Sequence, residues 1–187
     1  RKTGWDEKVS KDLVMRALRD VRSNYNIDTN RIYIDGASAG ALAAWRYGLA
    51  APDQFAGIIC RSGAVDSLIR LYIPNAFAMG VYIVHGLKDA TIPIEAIKPA
   101  HEALLRLGYD VTYRVDSKAG HSAFTEETPR ILEWMANHVR DPYPRRVRFA
   151  LNTMDYPRSY WLQAEVPADT IYDPDRPVKL PHVGGKH

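Results

Sequence analysis

The run Arg31-Ile32-Tyr33-Ile34-Asp35-Gly36-Ala37-Ser38-Ala39-Gly40 decides how the rest of the chain is read. Its first half is β-branched and aromatic, as a strand requires. Its second half sets a serine between glycines and leads into Ala-rich sequence, up to Ala50, that suits a helix. Strand, sharp turn and helix start, in that order, predict an elbow that holds the Ser38 hydroxyl at the tip of a sheet on strained backbone. Residues two before and two after such a serine must be small for strand and helix to pass closely, and Gly36 and Gly40 are read in that role.

Outward from this run the chain alternates helical and extended patterns, which predicts a parallel sheet with helices on its faces. Residues 6–22 carry Val9, Leu13, Val14, Ala17, Leu18 and Val21 at helical spacing, with Asp6 and Glu7 placed for the positive end of the helix. Strands are expected at 31–35, 55–60, 81–85 and 111–115, and helices at 39–50, 93–107 and 129–139. The stretch 65–72 reads as a short helix or lid segment, and Pro99 is expected to delay or kink the first turn of its helix. Asp141-Pro142-Tyr143-Pro144 breaks the pattern and marks a boundary. Beyond it, 147–151 and 159–166 read as two strands with a turn near Tyr156-Pro157, and the tail from Asp173 as loosely held. The expected class is thus α/β, a mostly parallel sheet flanked by helices, with one domain over 1–141 and a C-terminal β extension with its tail over 145–187.

Composition narrows the function classes. With 187 residues, 46% of them hydrophobic, the chain can bury a core of ordinary size. A net charge of +3 is scattered apart from Arg140, Arg145, Arg146 and Arg148, a group too short for a basic tail and read as solvated surface, so no nucleic-acid partner is expected. No run reaches the roughly 18 apolar residues of a membrane span, and no charged-then-apolar signal segment opens the chain, so a soluble protein with no membrane partner is expected. A single cysteine, Cys60, excludes an internal disulfide and reads as a buried core thiol.

Three chemistry-bearing residues fall just after three separate strands. Open α/β sheets place their sites at the carboxyl ends of strands, which is where Ser38, Asp89 and His121 lie. A serine hydroxyl needs a base to take its proton, an imidazole suits that task, and the imidazole needs a carboxylate to fix its tautomer. His121 is the candidate base and Asp89 the candidate acid, with Asp66 and Asp116 as substitutes for the latter. His85 is read as a loop-bonding residue, and His101 and His138 stand without partners at metal spacing, so neither metal nor cofactor is expected. Arg61 reads as a surface ion-pair residue or, less favoured, as a contact for an acidic substrate group. Trp45, Trp134 and Trp161 read as core or interface.

Several segments carry a family resemblance: 28–34 followed by G-A-S-A-G, the run 51–57, His85-Gly86-Leu87-Lys88-Asp89 through Pro93, and Gly120-His121. Together they make the chain resemble the carboxyl-terminal half of an α/β-hydrolase, in the prolyl-oligopeptidase, dienelactone-hydrolase or feruloyl-esterase-like branch, over about residues 5–140. The resemblance implies Ser38 as nucleophile, Asp89 as acid, His121 as base and the Ala39 amide as one oxyanion donor. It implies a serine esterase forming an acyl-enzyme on a small-molecule ester, with a prolyl-oligopeptidase-type peptidase or a catalytically weak remnant used in assembly or binding as alternatives. Asp35, before the elbow glycine, and Ala41, where a further glycine is common, depart from the family pattern and bear on packing. The family's strands before 6–22, with the loop that brings a second oxyanion donor, have no counterpart here. An open edge at 31–35 is therefore expected, covered by a second copy or a complementing chain, and activity is expected to be weak without it.

Overall fold

The computed structural model describes residues 7–151 and 157–165, with side chains from residue 12 onward. In chain order the elements are α1 (Glu7–Asn24), β1 (Tyr33–Ala37), α2 (Ala39–Ala50), β2 (Gly57–Arg61), α3 (Ser67–Tyr72), β3 (Gly80–Gly86), α4 (Lys98–Arg106), β4 (Val111–Asp116), α5 (Thr128–Asn137) and the short pair β5 (Arg158–Ser159) and β6 (Leu162–Gln163). The first four strands form one parallel sheet in the order β1-β2-β3-β4, with Tyr33 opposite Gly57, Gly57 opposite Gly80, and Val81 opposite Val111. The expected α/β architecture is what the chain adopts.

Side chains alternate across a strand, so each face of the sheet collects its own core. Ile58, Cys60, Val81 and Ile83 point to one face and pack with Trp45, Leu49, Ile97 and Leu104 of the α2 and α4 layer. Ile59, Tyr82 and Val84 point to the other, under Phe124, Ile131 and Trp134 of α5 and the loop before it. Both central strands, β2 and β3, are buried along their whole length, which explains the apolar runs at 57–60 and 80–84. Cys60 is a buried core residue, as expected, and burial pushes its thiol up to about 12.

Two expectations need correction. The helix read over 93–107 is divided: a single tight turn at Ile94–Ala96 precedes α4, and Pro99 sits in the first turn of α4, where a missing amide loses nothing. The segment 147–151 is no strand, and the antiparallel pair lies entirely within 158–163. Its backbone is satisfied instead by a side chain: the Ala150 amide donates to Asn75 Oδ1 (2.5 Å), and Asn75 Nδ2 donates back to the Ala150 carbonyl (3.0 Å). The arginines there do not simply face solvent, since Arg146 and Arg148 lie over the Phe77 ring at 5.6 and 4.9 Å. The turn expected near Tyr156 and the tail from Asp173 lie outside the described residues.

The first helix is also only partly as read. Met15 is buried and Leu18 packs against the core, but Leu13 and Val21, placed on the same apolar face, are 58% and 40% exposed. β1 stands at one end of the sheet, and among the described residues no strand pairs with its outer side.

Candidate active site

Ser38 joins β1 to α2 through a backbone that L residues avoid, at φ 56° and ψ −120°. The crossing is tight at Gly36, where a Cβ would collide with the carbonyl of Gly40. At Gly40 itself a Cβ would meet nothing within 4 Å, so the need for a small residue falls on Gly36 and not, as expected, on both. Gly40 supplies the backbone that Gly36 approaches, and its own side-chain position opens outward. The Ser38 amide donates to the Arg61 carbonyl (2.9 Å), which ties the turn to the end of β2.

Asp89 follows β3 in a loop built around its own carboxylate. Oδ1 accepts from the amides of Thr91 (2.9 Å) and Ile92 (2.8 Å), and Oδ2 accepts from His121 Nδ1 (2.8 Å). Burial pushes this carboxyl up, but the Ile92 amide, the His121 imidazole and the Thr91 amide outweigh it and hold it below the ordinary carboxylate range. His85, fully buried, lies 3.4 Å from the same Oδ2 and bonds through Nε2 to the Ile92 carbonyl (2.8 Å), a loop-bonding place as expected.

His121 follows β4. Gly86 admits its loop, because a Cβ there would collide with the carbonyls of Gly120 and Ala119, and the Lys88 amide donates to Ala119 (3.0 Å). With Nδ1 on Asp89, the other ring nitrogen, Nε2, stands 2.9 Å from Ser38 Oγ. Asp89, His121 and Ser38 therefore form one continuous hydrogen-bonded chain, from a buried carboxylate to a half-buried hydroxyl. The substitutes stand elsewhere: Asp66 caps α3 through the Ile69 amide and pairs with Arg46, and Asp116 accepts from the Lys118 and Ala119 amides.

Such a chain can draw a proton from the serine onto the imidazole and hold the imidazolium with a carboxylate. Ala39 begins α2, so its amide lies at the positive end of a helix beside Ser38. Among the described residues no group of three or more His, Cys, Asp or Glu could hold a metal ion. His101 lies tilted against the Tyr113 ring (4.1 Å between centroids), and His138 stacks on Trp134 with Nε2 at Asp110 (3.0 Å). No helix among the described residues is long and apolar enough to cross a membrane.

Two buried polar clusters went unforeseen as such, although an ion pair at the surface was the expectation for Arg61. Arg61 is buried, paired with Asp35 and bonded to the loop after His121, so it neither faces solvent nor is free for a substrate acid. Glu127 is buried among Tyr82, Arg114 and Arg130 at the start of α5. For the Asp35–Arg61 pair the available signal was a charged residue inside one apolar strand and another ending the next.

Solved structures agree with this architecture. A thermostable esterase is 27% identical over 68% of this chain and 36% of its own (TM-score 0.61), and esterase PE8 is 20% identical over 70% and 61% (TM-score 0.56). The acylaminoacyl peptidase of Pyrococcus horikoshii is 17% identical over 72% and 28% (TM-score 0.57). The chain thus spans less than two thirds of the length of each of these proteins. Comparison with curated proteins finds no match. The phospholipase/carboxylesterase family model matches residues 7–139, which includes Ser38, Asp89 and His121. With most of its length so matched, and the sheet, turn and loops in the order described, the chain belongs to the phospholipase/carboxylesterase family of α/β-hydrolases.

Proposed function

We propose that this chain carries the reacting residues of a serine hydrolase that cleaves carboxylic esters through an acyl-enzyme on Ser38. The observation that supports it most is the imidazole of His121 bridging Ser38 Oγ (2.9 Å) and Asp89 Oδ2 (2.8 Å). Ser38 Oγ attacks the ester carbonyl while its proton passes to His121 Nε2, and the Nδ1 proton stays on its bond to Asp89. The tetrahedral oxyanion is met by the Ala39 amide. Collapse expels the alcohol, which takes the proton from Nε2, and a water activated by the same imidazole releases the acid.

Esters are favoured over peptides by the family and by the thermostable esterase, whose 27% identity carries more than fold; the peptidase neighbour, at 17%, shares the fold alone. A fluorophosphonate probe tests the reading directly. Covalent labelling mapped to Ser38 is the expected result, with Ser38→Ala unlabelled and its far-UV circular dichroism unchanged. Labelling that survives in Ser38→Ala would place the nucleophile elsewhere, and a parent that neither reacts nor turns over ester would leave the assembly or binding role in its stead.

A further inference from the structure

One residue links Ser38 and His121 and is neither of them. Ser38 and His121 come from different strand exits and are 83 positions apart, yet they meet at 2.9 Å. Both are fastened to the end of β2. The backbone of Arg61 holds Ser38, through its carbonyl and the Ser38 amide (2.9 Å). Its side chain holds the His121 loop, with Nη1 donating to the carbonyl of Phe124 (3.0 Å), more weakly to that of Ala123 (3.4 Å), and to Thr128 Oγ1 (3.2 Å). The next residue, Ser62, fully buried, accepts the Ser122 amide on its hydroxyl (3.3 Å).

The guanidinium is itself aimed by Asp35. Arg61 Nε and Nη2 meet the two oxygens of that carboxylate at 2.9 and 2.5 Å, a fork-to-fork pair that fixes the plane of the group as well as its place. Asp35 lies on β1 diagonally across from Arg61, whose register partner is Ala37. The loop it braces needs bracing: Phe124 sits at φ 49°, in the left-handed region that a bulky residue occupies only when its surroundings hold it there. Its carbonyl accepts both Arg61 Nη1 and the Glu127 amide.

We infer that Arg61, aimed by Asp35, is a positioning residue that sets the reach of His121 to Ser38. The inference rests on the Ser38–His121–Asp89 reading. Misplacement of a reacting group by about 1 Å costs on the order of 10²-fold in rate, without any change in the groups themselves. Arg61→Ala is therefore expected to lower kcat for an ester, and the rate of fluorophosphonate labelling of Ser38, by roughly 10–100-fold, with KM close to the parent's. The emptied site is the shape of a guanidinium, so added guanidinium is expected to restore much of the rate, while tetramethylammonium at equal ionic strength restores none. Arg61→Lys keeps the charge but cannot reach both Asp35 and the loop carbonyls, and is expected to fall between.

Asp35→Asn, at a carboxylate already 38% exposed, guards against a fold too damaged to judge and is expected to lose several-fold. The inference is overturned if folded Arg61→Ala labels Ser38 at the parent rate. It is equally overturned if the loss tracks a lowered melting temperature and guanidinium restores nothing. Should Arg61→Ala fail to fold, parental rates in both Arg61→Lys and Asp35→Asn overturn it. Failure of the underlying reading looks different, because the parent itself would then not be labelled at Ser38.

Discussion

The acid end and the serine end of the hydrogen-bonded chain are built on different principles. Asp89 leaves β3, a central strand buried throughout, and its side chain is fully buried among two amides and two imidazoles. Both amides come from the next three residues, so the site is a local turn wrapped around one carboxylate. Ser38 leaves β1, an outer strand of largely intermediate burial that pairs, among the described residues, with β2 alone. Its position depends on the tight Gly36–Gly40 crossing and also on contacts from far along the chain: the Arg61 carbonyl and the brace that brings His121 over. On the proposed mechanism, the carboxylate that would have to stay charged and still is placed where sequence neighbours suffice, and the group that would meet substrate is placed at the open side.

The largest effects separate the two ends. Ser38→Ala is expected to lower ester turnover by about 10⁶-fold, since without the hydroxyl no acyl-enzyme forms. Active-site titration of the purified variant checks it, and turnover within tenfold of the parent would show that the serine end is not where chemistry occurs. Asp89→Asn is expected to lower kcat by about 10⁴-fold, because the amide offers the imidazole the wrong partner and tautomer. The turn should survive that change, as Asn can still accept from the Thr91 and Ile92 amides. A parental rate in Asp89→Asn would mean that the buried end only supports the loop.

These two ends were unequally legible in sequence. The Asp89 turn and its strand could be read because the determinants are contiguous: an apolar run, then polar loop residues closing on one aspartate. The helix at Ala39–Ala50 was legible to the residue for the same reason. What escaped lay across the chain. The Asp35–Arg61 pair spans 26 positions, and each member alone looks like a charged residue tolerated at a strand end. The segment 147–151 has strand composition, but Asn75, more than 70 positions earlier, takes its backbone bonds, and no local pattern announces that. The half-exposed α1 was misjudged because helical spacing shows which residues share a face without showing whether anything covers it.

The open side also makes a prediction of intermediate size. We propose that β1 accepts a further strand, from upstream sequence or from a second copy of this chain, since its outer side is unpaired among the described residues and exposed strand edges template pairing. A strand and loop added there would bring a second oxyanion donor, worth about 10²–10³ in rate. Turnover measured with and without an added upstream segment, alongside light scattering, is expected to show self-association without it and faster hydrolysis with it. A monodisperse monomer whose rate the segment leaves unchanged would mean that the serine end is complete as described.

The smallest effect concerns protons, and it sharpens the contrast. The base must be unprotonated to draw the Ser38 proton, so turnover is expected to rise with pH by a single proton and then to plateau. A second proton would enter if Asp89 titrated in the same range, but its amide and imidazole partners hold it below the ordinary carboxylate range. The sign for stability follows from the same depression. Asp89 binds its proton less readily folded than unfolded, so its contribution is present above the unfolded carboxylate pKa and is lost as pH falls through the lower folded value. Parent and Asp89→Asn should therefore differ in unfolding free energy near neutrality, by an amount within the roughly 0.5–3 kcal/mol of ordinary single substitutions. They should converge in acid, where the parent carboxylate takes up its proton. Urea unfolding of both proteins from pH 7 downward measures the gap. A gap that stays constant into acid would show that the carboxylate stabilises the turn by its shape and not its charge, and a two-proton acid limb in kcat would show that the buried end moves with the reaction after all.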